Sequence, residues 1–327
     1  MTFRILEHGC EVDAVQSYFG MRKVSIQNGQ FLLNNRPYYQ KLVLDQGYWP
    51  ESLLTAPSDE AFIRDIELTK AMGFNGVRKH QKVEDPRYLY HADRMGLLVW
   101  GEIGAAYLYS EQYADRIYRE WLDVLRRDYN HPCIVVWTPL NESWGVQEIE
   151  TDPRQQAHSE AMVAITKSMD TTRLVVDNDG WEHTNGDLLT IHDYSPSGEM
   201  LRAHLGSVDA ILALRPAQRA LFVGRHAYAG QPILLSEFGG VKFVPGTEAQ
   251  HSWGYCEADS CAAFAGKLRE LFDAVRACPL VDGYCYTQLT DVETEQNGLL
   301  TYDRTPKLPL ETICAILNGR TNEHENL

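Results

Sequence analysis

A chain of 327 residues is long enough for one large domain with a substantial core, and it fits a single barrel of alternating strands and helices better than two full domains. Its 30 Lys and Arg against 45 Asp and Glu, a net charge of −15, disfavour nucleic acid and anionic membrane surfaces as partners. The opening residues MTFRILEHGCEVDAV contain acidic side chains and no sustained apolar run, nothing reaches bilayer-spanning length, and the seven cysteines lack CxxC spacing, so a cytoplasmic protein in a reducing compartment is expected.

Residues 1 to about 30 read as a small β lead-in. The segment DAVQSYFGMRKVSI alternates loosely, Asn28 and Gly29 offer a tight turn, and FLLNNRP supplies a second short strand with another turn. From Tyr38 onward, strand and helix signals alternate. Residues 39 to 44 form the first expected strand, and the helix after it starts at a Ser58 cap and ends at Gly73. Residues 76 to 80 are the second strand, followed by a helix over 86 to 95 with Pro86 in its first turn. GLLVWGEI is the third, and a long amphipathic helix over 112 to 130 places Ile117, Trp121, Val124 and Leu125 on one side. The β-branched run from Cys133 to Trp137 is the fourth strand, with a helix over 154 to 169 behind it. Residues 173 to 179 and 188 to 194 give the fifth and sixth. One or two helices are expected between Glu199 and Gln218. The seventh strand begins at Pro232, a helix covers 259 to 277, the eighth strand spans 281 to 288, and residues 308 to 317 close the ring. Eight alternations without a Gly-rich phosphate loop predict an α/β fold, a (β/α)8 TIM barrel over residues 31 to 327.

The polar residues fall where such a barrel exposes them. The strand ends deliver Arg78 and His80, Glu102, Asn141 and Glu142, Asp179, His192 and Tyr194, Glu237, and Gln288 toward one mouth. Trp144 and Trp253 follow the fourth and seventh strands, where an indole can stack on a sugar ring. Two carboxylates on separate strand ends, Glu142 and Glu237, have the makings of a glycosidic pair, one protonating the leaving oxygen while the other attacks or activates water. Arg78, Glu102, Asn141, Trp144, Asp179, His192, Tyr194, Trp253 and Gln288 are the expected sugar-binding set. No spacing supports a metal, and GxGxxG, GxxxxGK[ST] and GxSxG are absent, so no cofactor is expected.

The ordered combination of SYFGMRKV, GFNGVRKHQKVEDPRYLYHADRMGLLVWGE, HPCIVVWTPLNES, ILLSEFGG and YTQLTDVETEQNGLLTYDR resembles glycoside hydrolase family 2, which includes β-galactosidases, β-glucuronidases and β-mannosidases. The resemblance runs from about Asp13 to Lys307. It implies that Glu142 of TPLNES is the general acid/base, that Asn141 binds the sugar 2-hydroxyl, and that Glu237 of LLSEFGG is the nucleophile. It further implies an exo-acting, retaining β-glycosidase with carboxyl groups about 5 to 5.5 Å apart. β-Galactosidase is the leading activity, β-glucuronidase or β-mannosidase the alternatives, and a weakly active carbohydrate-binding barrel the non-enzyme reading. Relatives carry a sugar-binding jelly roll and an immunoglobulin-like domain ahead of the barrel. SYFGMRKV resembles the last strand of the latter, so residues 1 to 30 read as its remnant. IGAAYLY, after the third strand, offers no ligand for the magnesium of large β-galactosidases. The expected partner is a small carbohydrate, and a homo-oligomer is a further expectation because a barrel without its covering domains exposes apolar surface.

Overall fold

The computed structural model describes residues 1–245 and 251–320. Its centre is one parallel sheet of eight strands: β1 (Gln40–Asp45), β2 (Gly76–Lys79), β3 (Leu98–Glu102), β4 (Ile134–Thr138), β5 (Leu174–Val175), β6 (Leu189–Asp193), β7 (Ile233–Gly239) and β8 (Val281–Thr287). Neighbours run β5-β4-β3-β2-β1-β8-β7-β6. This is the cyclic order of a barrel, with β1 laced to β8 and a single seam between β5 and β6.

The helices α1 (Asp59–Ala71), α2 (Pro86–Met95), α3 (Glu111–Asp128), α4 (Pro153–Met169), α5 (Gly198–Leu205), α6 (Val208–Leu212), α7 (Cys261–Arg276) and α8 (Leu310–Leu317) follow the strands they cover. From α1 to α7 each starts at a Ser or Asp whose side chain accepts a first-turn backbone N–H, which fixes where the chain leaves the loop and begins to coil. The segment between Glu199 and Gln218 resolves into α5, α6 and one 3₁₀ turn at Pro216–Gln218.

The fifth strand is shorter than its sequence pattern predicts. Asp187 donates its backbone N–H to the Val175 carbonyl at 2.7 Å, and its carboxylate accepts from Val175 N–H at 2.9 Å. A side chain thus takes the place of a strand partner, and this closes the seam without a ladder.

The lead-in forms two separate antiparallel units. Thr2–Glu7 and Cys10–Gln16 make a hairpin exposed on both faces. Val24–Gln27, Gln30–Leu33 and Arg36–Pro37 make a three-stranded sheet, which carries the β lead-in past residue 30 to Pro37. Its turns fall on Asn28–Gly29 and Asn34–Asn35, all with positive φ. Phe31 and Val24 are buried against Leu42, Leu44, Trp100, Val136 and Leu234, so this sheet plugs the lower end of the barrel. A hydrogen bond from Phe31 N–H to Asp282 fastens it to β8. No described helix is long and apolar enough to cross a membrane.

Candidate active site

At the carboxyl end of the barrel the chain after β4 turns sharply. Glu142, Ser143 and Gly145 all have φ between 51° and 79°, a left-handed conformation that costs energy for the first two. Surrounding bonds impose it. Glu142 N–H donates to the Asp179 carbonyl at 3.0 Å, Ser143 N–H donates to Asn178 at 2.9 Å, and the Ser143 hydroxyl binds buried Glu182. The turn holds the Glu142 carboxyl over the barrel mouth.

Glu237 approaches from β7, nearly fully buried. Four groups face its carboxyl: Arg78 Nη1 at 2.8 Å, the Tyr194 hydroxyl donating at 2.5 Å, His192 Nδ1 at 3.5 Å and His80 Nδ1 at 3.7 Å. Burial pushes this carboxyl up, while the charges on His192 and Arg78 limit the rise. One ligand atom from each of Glu142, His192 and Glu237 lies within 4.8 Å of the others.

His192 places Nδ1 2.7 Å from Glu142 Oε1 and Nε2 3.0 Å from Asp179 Oδ2. Burial alone would expel the proton, but the negative charges of Glu237 and Asp179 prevail and raise its pKa to about 10. Among the described residues, Glu142, His192 and Glu237 form a group close enough to hold a metal ion, yet an imidazolium has no lone pair to donate. In this protonated form the trio is arranged for proton chemistry.

Arg78 is the hub beneath these groups. It binds Glu102 through Nε, Asp179 at 2.7 Å, Glu237 at 2.8 Å and Asn141 Oδ1 at 2.6 Å. Burial opposes its charge, and the surrounding carboxylates outweigh that and hold it protonated. Burial lifts Glu102 to about 7 despite Arg78. His80 accepts from Arg78 Nη2 at 2.8 Å, and burial together with that guanidinium keeps its ring neutral.

The sequence-derived set divides into four groups. Glu142, Glu237, Asn141, His192 and Tyr194 converge at the mouth. Arg78, Glu102 and Asp179 have side chains at most 1% exposed and form an ion cluster beneath these groups. Gln288 bonds Gln46 at 3.0 Å and Asn297 at 2.7 Å in a separate buried polar group. Trp144 and Trp253 lie on the rim, 39% and 44% exposed.

Tyr255 escaped the sequence reading although it stacks on Tyr194 with centroids 3.4 Å apart and planes 5° from parallel. Trp253 meets it edge-on at 5.7 Å. Trp181, edge-on to His192 at 5.5 Å, was also missed, and its position two residues beyond Asp179 was the available signal. Together with His204 and residues 213 to 217, Tyr255 and Trp181 wall a hollow of about 600 Å³ that opens onto Glu142, His192 and Tyr194.

Residues 24–239, well over half of the chain, match the family model "Glycosyl hydrolases family 2, TIM barrel domain". The chain belongs to glycosyl hydrolase family 2. A β-glucuronidase of Streptococcus agalactiae is 23% identical to this family 2 chain across 90% of it and 52% of the relative. A β-galactosidase of Vibrio cholerae is 32% identical across 42% of it and 14% of the relative. Among solved structures, the β-D-glucuronidase of Dictyoglomus thermophilum superposes with a TM-score of 0.77 at 17% identity, covering 97% of this chain and 57% of that one. The β-galacturonidase of Eisenbergiella tayi bound to galacturonate gives 0.74 at 19%, covering 95% and 56%. At these identities the structures establish the shared barrel. The family 2 chain thus spans about half the length of the first of these relatives and less of the second.

Proposed function

We propose that this family 2 barrel is the catalytic unit of an exo-acting, retaining β-glycosidase that cleaves O-glycosidic bonds by double displacement. Glu237 attacks the anomeric carbon while Glu142 protonates the departing oxygen, and Glu142 then takes a proton from the water that releases the sugar. The observation that carries this reading is the closeness of the two carboxyls, with reactive atoms within 4.8 Å of each other. That closeness favours direct attack on one carbon over the wider spacing an inverting enzyme keeps for its water.

The neighbouring groups have matching roles. Arg78 and Tyr194 hold one oxygen each of Glu237 and leave it aligned for attack. Asn141 Nδ2 is buried without a hydrogen-bond partner, which supports its donating to the sugar 2-hydroxyl. The hollow beside the pair suits a terminal sugar. Exposed Phe3, Ile5, Leu6, Val12 and Val15 on the N-terminal hairpin support self-association, measurable by light scattering.

The sugar is proposed as a β-galactoside, with β-glucuronide the second reading because the relative that covers 90% of the chain carries that name. A panel of nitrophenyl β-galactoside, glucuronide, mannoside and glucoside separates the two. A 2-deoxy-2-fluoro β-glycoside of the accepted sugar is expected to label Glu237. Turnover with the label on another residue, or an inverted product by NMR, overturns the mechanism; binding without turnover of any member reduces the barrel to a carbohydrate binder.

A further inference from the structure

A second hollow, of about 290 Å³, lies beyond the turn after β4 and is lined by Tyr107, Leu108, Glu142, Ser143, Trp144, Gln147, Trp181 and Arg219. Glu142 and Trp181 line both this hollow and the larger one, whereas His192 and Tyr194 line only the larger. The acid therefore stands on the boundary between a chamber lined by His192 and Tyr194, the two groups that contact Glu237, and one that neither of them lines.

The smaller hollow has an aromatic wall. Tyr107 and Trp144 stand 5.3 Å apart with planes at 37°, and they are 75% and 39% exposed, with Leu108 exposed beside them. Of its polar groups, Gln147 and Arg219 are engaged, while the Trp181 indole N–H has no partner. Gln147 Oε1 accepts from Tyr109 N–H at 3.2 Å, and Arg219 binds Glu182 and the Gln147 carbonyl. A hydroxyl-rich ring would find few free partners here, while a flat apolar ring would find two aromatic faces.

We propose that Tyr107 and Trp144 form a subsite for an aromatic aglycone, the leaving half of an aryl β-glycoside. This rests on the role proposed above for Glu142. An acid that protonates the leaving oxygen must have the leaving group beside it, and the hollow on its far side is the space open to that group. Trp144 then serves leaving-group selection and does not stack on the sugar being transferred.

The test compares two substrates of the sugar that the panel selects: its 2-naphthyl β-glycoside and its β-glycosyl fluoride, whose leaving group is one atom and cannot reach the hollow. The readout is the ratio of kcat/KM for naphthyl over fluoride. Tyr107→Ala and Trp144→Ala are each expected to lower that ratio about tenfold, chiefly through KM for the naphthyl substrate, with Trp144→Phe retaining most of it. Tyr107 is so exposed that its loss does not threaten the fold. A ratio within twofold of the unaltered chain in both alanine variants overturns the subsite while fluoride turnover upholds the glycosidase. An equal loss when the naphthyl group is replaced by a second sugar unit overturns the preference for an aryl ring. Failure of the unaltered chain on both substrates removes the glycosidase and the subsite together.

Discussion

His192 stands 2.7 Å from Glu142 through Nδ1, while its other ring nitrogen meets Asp179. A ring with carboxylates on both nitrogens is a double donor, hence an imidazolium, and its charge couples the acid after β4 to the buried Arg78 cluster.

The pH dependence of stability follows. The His192 pKa is raised from 6.5 to about 10, so the folded chain holds this proton more tightly than the unfolded chain. Its contribution is complete below about pH 6.5 and is lost as pH rises through about 10. Thermal midpoints of the unaltered chain and His192→Gln should therefore differ most near pH 6 and converge by pH 10. A difference that does not change with pH would mean the ring is neutral.

Removing the acid should show itself chemically. Glu142→Ala is expected to lose about 10² to 10⁴ in kcat on substrates with poor leaving groups and much less on dinitrophenyl glycosides. Azide should restore part of the rate and yield a β-glycosyl azide. An azide product of the opposite anomeric configuration would contradict attack from the side Glu142 occupies.

Glu237→Gln keeps the shape of the site and removes the attacking charge. Turnover is expected to fall on the order of 10⁴-fold or more, with sugar binding still measurable by calorimetry. A variant with rates near normal would reassign the nucleophile.

Tyr194→Phe deletes the hydroxyl that donates to Glu237 at 2.5 Å. A hydrogen bond to a charged partner is worth enough that kcat should drop about 10- to 100-fold with KM little altered. A change confined to KM would place Tyr194 against the sugar and not behind the nucleophile.

At the opposite end of the barrel, Phe31 is fully buried against the inward-facing strand residues. Phe31→Ala should cost about 3 to 5 kcal/mol, seen as a lower urea midpoint. The value of kcat in the absence of urea should hold, since the floor is remote from the carboxyl ends of the strands. An unchanged midpoint would show that the small sheet does not plug the barrel.

What could be read along the chain was whatever depends on short separations. Ser58, Gly73 and Pro86 mark helix ends, the run from Cys133 to Trp137 is a strand in any register, and Asn28-Gly29 is a turn, because caps, buried runs and left-handed turns are decided by neighbouring residues. Glu142 and Glu237 were visible as candidates for the same reason, each at the end of an apolar run. What folding alone decided was which side chains share a space. Arg78, Glu102 and Asp179 look like rim residues in sequence, but they neutralise one another beneath the rim, because buried charges are tolerated only in mutual contact. Tyr255 reaches Tyr194, Gln288 turns to Asn297, and Asp187 replaces a strand partner at the seam, all through contacts that reach beyond a single helix, strand or turn. Local sequence determines where the backbone coils, extends or turns, whereas closing the barrel determines the dielectric, and hence the charge and the job, of every polar group inside it.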